Sequence, residues 1–144
     1  MTRAASRQRG VLALWTAVLL PIVIMLLALV IESAYLFALR RAQQTATDLA
    51  AQSGALQALR ENAAGVTAAA RYTAAENGFP VAAGTTVTVD RPPTVGAYAG
   101  NELAVRVRIE HQPPRLFSAL FVGASTLIGT QATARLRRPV CLMT

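Results

Sequence analysis

Twenty-one consecutive residues near the amino end, Val11 to Ile31 (VLALWTAVLLPIVIMLLALVI), carry no charge. A helix of a small soluble domain needs one polar face, and this stretch has none. As an α-helix it spans about 31 Å at 1.5 Å per residue, matching the hydrocarbon core of a bilayer. Fourteen of its residues are Leu, Ile or Val. At about −0.3 to −0.6 kcal/mol each, they favour insertion by about −4 to −8 kcal/mol. Pro21 sits mid-run and predicts a kink, which membrane helices tolerate when neighbours or small adjustments satisfy the freed carbonyl.

The flanks orient the segment. Arg3, Arg7 and Arg9 precede it, and Arg40 and Arg41 follow. The bias toward the amino side places that end in the cytoplasm. A cleaved secretory signal has an apolar region of about 7–15 residues, so this longer run reads as a retained anchor. The expected organisation is a cytoplasmic basic terminus over 1–10, a transmembrane helix over 11–31, an extracytoplasmic helical region over 32–78 and a small C-terminal domain over 79–144. The expected location is a bacterial inner membrane, single-pass, with the C-terminal domain periplasmic or otherwise extracytoplasmic. Trp15 and Tyr35 flank the span as interfacial aromatics do. Glu32 closes it. Either it reaches interfacial water, or it lies in hydrocarbon at a cost of at least about 2.5 kcal/mol and takes a partner.

A helical pattern continues from Glu32 to about Arg60. Tyr35, Leu39, Ala42, Ala46, Leu49, Ser53 and Leu56 recur at spacings of four and three, a heptad seam lined largely by small residues. It can pack on the chain's own sheet or on another subunit. Arg40, Gln44, Asp48 and Gln52 form a polar row four apart. Gly65 is expected to interrupt the helix. A second stretch, Val66 to Glu76, should stop at Asn77-Gly78, with Pro80 blocking continuation.

From Thr85 the period changes to two. Thr85 to Asp90 is a β-rich run. Leu103 to Glu110 alternates, with Leu103, Val105, Val107 and Ile109 on one face and Ala104, Arg106, Arg108 and Glu110 on the other. Two prolines and two glycines between Arg91 and Asn101 mark a loop. Pro113-Pro114 opens an expected short helix, Arg115 to Val122, with Leu116, Phe117, Leu120 and Phe121 as its apolar face. Thr126 to Leu136 is an expected third strand. The fold class is α+β: a long N-terminal transmembrane helix extending into a small antiparallel sheet covered by a short helix. Three strands are near the minimum for stability, so the long helix should complete the core.

The function classes narrow by elimination. All 14 basic residues are arginine and the net charge is +7. They are scattered, and no nucleic-acid motif accompanies them, so no nucleic-acid partner is expected. Cys141 is the single cysteine, either a tail thiol or one half of an intermolecular bridge. His111 has no second histidine to share a metal. Neither a nucleophile elbow nor a phosphate-binding glycine loop occurs, so neither enzymatic activity nor a cofactor is expected.

The N-terminal half resembles the TadE/TadG-like proteins of the Flp (tight-adherence) pilus apparatus. Arg9-Gly10, Pro21, Glu32, Tyr35 and Arg40-Arg41 carry the resemblance, followed by Gln44-x-Ala46-x-Asp48-x-Ala50-Ala51-x-x-Gly54-Ala55. It covers roughly residues 7 to 56. Weaker similarity runs through Asn77-Gly78, Pro92-Pro93-x-x-Gly96 and the strand–PP–Leu-Phe–strand layout. It implies a pilin-like architecture and a role in building or anchoring a pilus. TadE-like relatives are cut after a glycine that lies five residues before a glutamate. Here Trp15 stands at that place, which leaves Gly10 and Val11 as a candidate leader junction and sets the chain nearer the TadG-like side.

The expected function is a membrane-anchored minor pilin or pseudopilin, structural or assembling, in a Flp/Tad-type pilus. Its partners would be the lipid bilayer, other pilin-like subunits and the inner-membrane assembly machinery. Glu32, Tyr35, Leu39, Ala42, Gln44, Ala46, Asp48 and Leu49 are the candidate packing residues. The alternative is a membrane-tethered extracytoplasmic binding or adhesion module.

Overall fold

The structure is a computed structural model that describes residues 4–117, 119 and 126–137. It is α+β, with two helices followed by three strands: α1 (Ala4–Leu59), α2 (Ala63–Glu76), β1 (Thr85–Asp90), β2 (Ala104–His111) and β3 (Ile128–Arg135). The chain divides into two compact units. One is Met1–Phe37 with Arg115–Ala124, and the other is Ala38–Pro114 with Ser125–Thr144. They are called here the anchor unit and the sheet unit.

In the anchor unit α1 continues through Pro21 without leaving helical structure. The helix is long and apolar enough to cross a membrane, with a mean hydropathy of 2.8 in its most apolar window, and 0% of that window is buried. A core helix of a soluble protein would hide those side chains. Here Leu, Ile and Val from Val11 to Ile31 stand exposed.

The sheet unit is built on a three-stranded antiparallel meander in the order β1-β2-β3. Its register pairs Val87 with Ile109 and Val107 with Ala132. Alternation holds from Val105 on; Ala104, expected to face outward, is buried at the start of β2, and Leu103 precedes the strand half-buried. Val87, Val105, Val107 and Ile109 are buried on one face, while Thr86, Thr88, Arg108, Gln131, Thr133 and Arg135 face out. The inner face packs on the helices: Ala46, Ala50, Ala51, Ala55 and Ala58 of α1, and Val66, Ala70 and Ala74 of α2, join the same core. The helical region from Ala38 and the strands therefore share one hydrophobic interior.

Both helices end in the same way. The Asn62 N–H bonds to Gln57 O and the Glu61 N–H to Ala58 O; the Phe79 N–H bonds to Ala74 O and the Gly78 N–H to Ala75 O. These are paired 6→1 and 5→2 closures that need a left-handed residue between them. Gly78 supplies it at φ +91° without strain, and Glu61 supplies it at φ +61° with a side chain.

The expected break at Gly65 lies instead at Arg60–Asn62, and Gly65 is inside the first turn of α2. Asn62 caps α2, its Oδ1 accepting from the Gly65 N–H at 3.0 Å. A Cβ on Gly65 would lie 2.3 Å from Asn62 Nδ2. The glycine makes room for the cap rather than ending a helix. Half of the expected short helix over Arg115 to Val122 lies outside the described residues. Of the described half, Leu116 and Phe117 are outside regular helix and exposed.

Candidate functional site

Small side chains let a helix approach a sheet closely, and the second half of α1 shows the result. Gln43, Ala46, Thr47, Ala50, Ala51, Gly54, Ala55 and Ala58 form its buried face. At the centre, a Cβ on Gly54 would meet Val105 Cγ1 at 3.1 Å and Ala70 Cβ at 3.6 Å. Three elements, α1, α2 and β2, converge there, and only glycine fits without pushing Val105.

Polar groups set the register of α1 on the strands. The Gln43 side chain is fully buried. Its Nε2 donates to Ile109 O at 2.8 Å and to Ile128 O at 3.0 Å, tying α1 to β2 and β3 together. Its Oε1 has no hydrogen-bond partner among the described residues. One turn on, Thr47 Oγ1 donates to Gln43 O and shares a 2.7 Å hydrogen bond with Thr130 Oγ1. Ser53 Oγ donates to Ala69 O at 3.2 Å and accepts from Thr73 Oγ1 at 2.9 Å, joining the two helices.

The candidate packing residues divide. Ala46 is buried on the sheet, and Leu39 is partly buried against the same core. Gln44 Nε2 donates to Asp48 Oδ1 at 3.0 Å and more weakly to Gln131 O at 3.4 Å, so this pair of the polar row links α1 to β3. Tyr35, Ala42, Leu49 and Leu56 are exposed. Of the heptad seam, Leu39, Ala46 and Ser53 pack within the chain, while the sheet mainly takes the neighbouring row, one residue on, where Gln43, Thr47, Ala50 and Gly54 supply hydrogen bonds and closeness that leucines do not. Ala42, Leu49 and Leu56, seven apart, are left facing outward. The alanines and glycine of the Gln44 to Ala55 motif are accounted for by packing within the chain.

Glu32 is 3% exposed although Ile31 and Ser33 beside it are exposed. Gly10 and Val11 are exposed within α1, with nothing within 4 Å of a Cβ at Gly10. Cys141 lies outside the described residues.

The remaining candidates have structural partners. Thr85 Oγ1 shares a 2.8 Å hydrogen bond with His111 Nδ1, and Phe79 meets the His111 ring edge-on at 5.5 Å. On the outer face Arg108 pairs with Glu110 at 2.7 Å, Arg106 donates to Val95 O, and Arg135 lies 6.0 Å over the Tyr98 ring. Beside α2, Ala63, Val66, Thr67, Val89, Arg91 and Glu102 line an open cleft of about 290 Å³. There Arg91 Nε donates to Glu102 O at 2.8 Å. The sequence reading missed Gln43 and Thr47, whose only signal was polarity next to an alanine row.

Comparison of the chain with family models, with curated proteins and with solved structures gave no match.

Proposed function

We propose that this chain is a membrane-anchored, pilin-like structural or assembly subunit of a Flp/Tad-type pilus, with Val11–Ile31 retained in a bacterial inner membrane and the sheet unit outside the cytoplasm. Two features support the anchor: the charge-free run, and the exposure of its large apolar side chains, which lipid would cover. The resemblance carried by Arg9-Gly10 through Gly54-Ala55 supplies the pilus assignment.

The observation that carries an assembly role is the outward row Ala42, Leu49 and Leu56. The opposite face of α1 is sealed by the sheet, so this heptad-spaced row is available to a helix of another subunit. Glu32, Tyr35 and the anchor continue the same helix toward the bilayer. Leu49→Cys in a Cys141→Ser background, expressed with its neighbouring genes, tests it. Oxidation in intact membranes should crosslink the chain to a cysteine-bearing helical subunit, and mild-detergent pull-down should recover pilin-like proteins. Recovery of none would contradict the reading.

A second reading, a membrane-tethered binding or adhesion module, draws on the cleft at Val66, Val89 and Arg91. It is at the small end of ligand pockets, about 300–1,000 Å³, and it predicts that Arg91→Ala abolishes function while Leu49→Arg does not.

A further inference from the structure

Both outer strands of the sheet are open among the described residues. β1 and β3 pair with β2 alone, apart from a bridge from Thr85 to Ala82. Alternation along an antiparallel pair fixes which backbone groups each edge presents. The Gln112 N–H, in line with β2, donates to Gly84 O, while the Thr85 N–H turns the other way, to Ala82 O. Val87 and Val89 are in step with Thr85, so their N–H and C=O groups point away from β2. By the same alternation the groups of Val107 and Ile109 serve β3, meeting Ala132 and Thr130. Gln131, Thr133 and Arg135 are then the residues of β3 whose groups point outward. Gln44 Nε2, reaching Gln131 O at 3.4 Å from α1, agrees with that.

Neither edge is protected in the usual ways. Thr85 to Val89 and Ile128 to Ala134 hold no proline and no charge, and both registers run without a bulge. Val89, Ala132, Ala134 and Leu136 are only partly buried against the core, and the open cleft beside α2 reaches Val89. Apolar area is thus left at both edges on the helix side of the sheet. On the other side Asp90 lies at one edge and Arg135 at the other, and neither belongs to an ion pair among the described residues.

The two edges fit each other. β1 and β3 both run opposite to β2, so they run the same way. In a parallel pair a residue bonds to the residues before and after its opposite neighbour, so the bonding residues of the two strands carry side chains on opposite faces. Val87 and Val89 face the helices, and Gln131, Thr133 and Arg135 face away. Antiparallel pairing of two β3 edges would also satisfy the backbone, but it turns the second copy's α1 end for end. Copies anchored in one membrane need their α1 helices to run the same way.

We propose that β1 of one copy of this chain pairs in parallel with β3 of the next, in the register that sets Asp90 beside Arg135. Val87 then lies against Ala132 and Val89 against Ala134, a larger side chain beside a small one each time. The Val87 N–H donates to Gln131 O and its C=O accepts from the Thr133 N–H. The Val89 N–H donates to Thr133 O and its C=O accepts from the Arg135 N–H. The contact is head-to-tail, so it repeats into a ring or a fibre. This deepens the pilin-like reading and rests on its membrane anchor.

Thr88 and Thr133 are exposed and opposite each other in this register. Within one chain they lie on either side of β2, about 9–10 Å apart at two strand spacings, beyond the reach of about 7 Å for a disulfide. Thr88→Cys with Thr133→Cys, in a Cys141→Ser background, is oxidised in membranes of cells making the full chain. The double variant should form a ladder of multiples of the chain's mass, and neither single variant should. Circular dichroism checks each fold, and Thr86→Cys with Gln131→Cys serves as a second pair. Asp90→Arg added to the double variant sets like charges opposite and should cut the ladder about fivefold, and Arg135→Asp added to that should restore it. Dimers from Thr133→Cys alone would overturn the proposal. So would the absence of a ladder from both pairs while the chain stays in the carbonate-washed pellet, and the anchor would stand. Release of the chain by carbonate would remove the anchor, and the parallel pairing with it.

Discussion

Replacing Gln43 by glutamate keeps the side chain's shape and changes its chemistry at one atom. Nε2, which donates to Ile109 O and Ile128 O, becomes an oxygen facing two acceptors. Two hydrogen bonds of about 1 kcal/mol each are lost, and a protonated carboxyl restores one. An ionised carboxylate there is untenable, so the folded variant keeps its proton. Holding a carboxyl neutral at pH 7, against a reference pKa of about 4.3, costs about 3.7 kcal/mol. The variant should therefore lose about 4–5 kcal/mol at pH 7 but only about 1 kcal/mol near pH 4. The sign follows from linkage. Above about pH 4.3 the unfolded variant releases a proton that the folded one retains, so destabilisation grows as pH rises. Gln43→Met also loses both bonds but removes the buried, unpartnered Oε1, and it should stay within about 1 kcal/mol of wild type at either pH. Hydrogen exchange of the Val105, Val107 and Ile109 amides, measured on the full-length protein in mild detergent, reads these differences. An equal loss at both pH values, or none, would refute the clamp.

Three further outcomes follow from named contacts. Gly54→Val should destabilise the sheet unit by about 1–3 kcal/mol by overpacking against Val105, whereas Gly54→Ala sets a helix-propensity gain of about 1 kcal/mol against the same 3.1 Å contact and should come out milder; thermal unfolding by circular dichroism ranks the two. Asn62→Ala removes the cap on α2 and should cost about 1 kcal/mol, seen as faster exchange in the first turn of α2. Leu49→Arg should leave unfolding within about 0.5 kcal/mol of wild type, because the position is exposed, and yet abolish co-purification of partner subunits.

The strands were legible because their signal is binary. Val105, Val107 and Ile109 alternate with charged residues, and a one-residue slip would bury Arg106 and Arg108. The long apolar helix was legible because 21 uncharged residues have few alternatives. The face of α1 was not. Its buried row is Gln43, Ala46, Thr47, Ala50, Ala51, Gly54, Ala55 and Ala58, small residues with two polar side chains among them. The larger Leu49 and Leu56 drew the reading to the adjacent row. Size, hydrogen bonding and closeness decided the packing. The break before α2 was misplaced for a related reason. Glu61, a residue with no special turn preference, takes the left-handed position, while Gly65 serves a cap.

Alkaline carbonate extraction of membranes from cells making the full chain tests the central claim most directly. Insertion of Val11–Ile31 predicts that the protein stays with the membrane pellet. Release of the intact chain into the supernatant would contradict it.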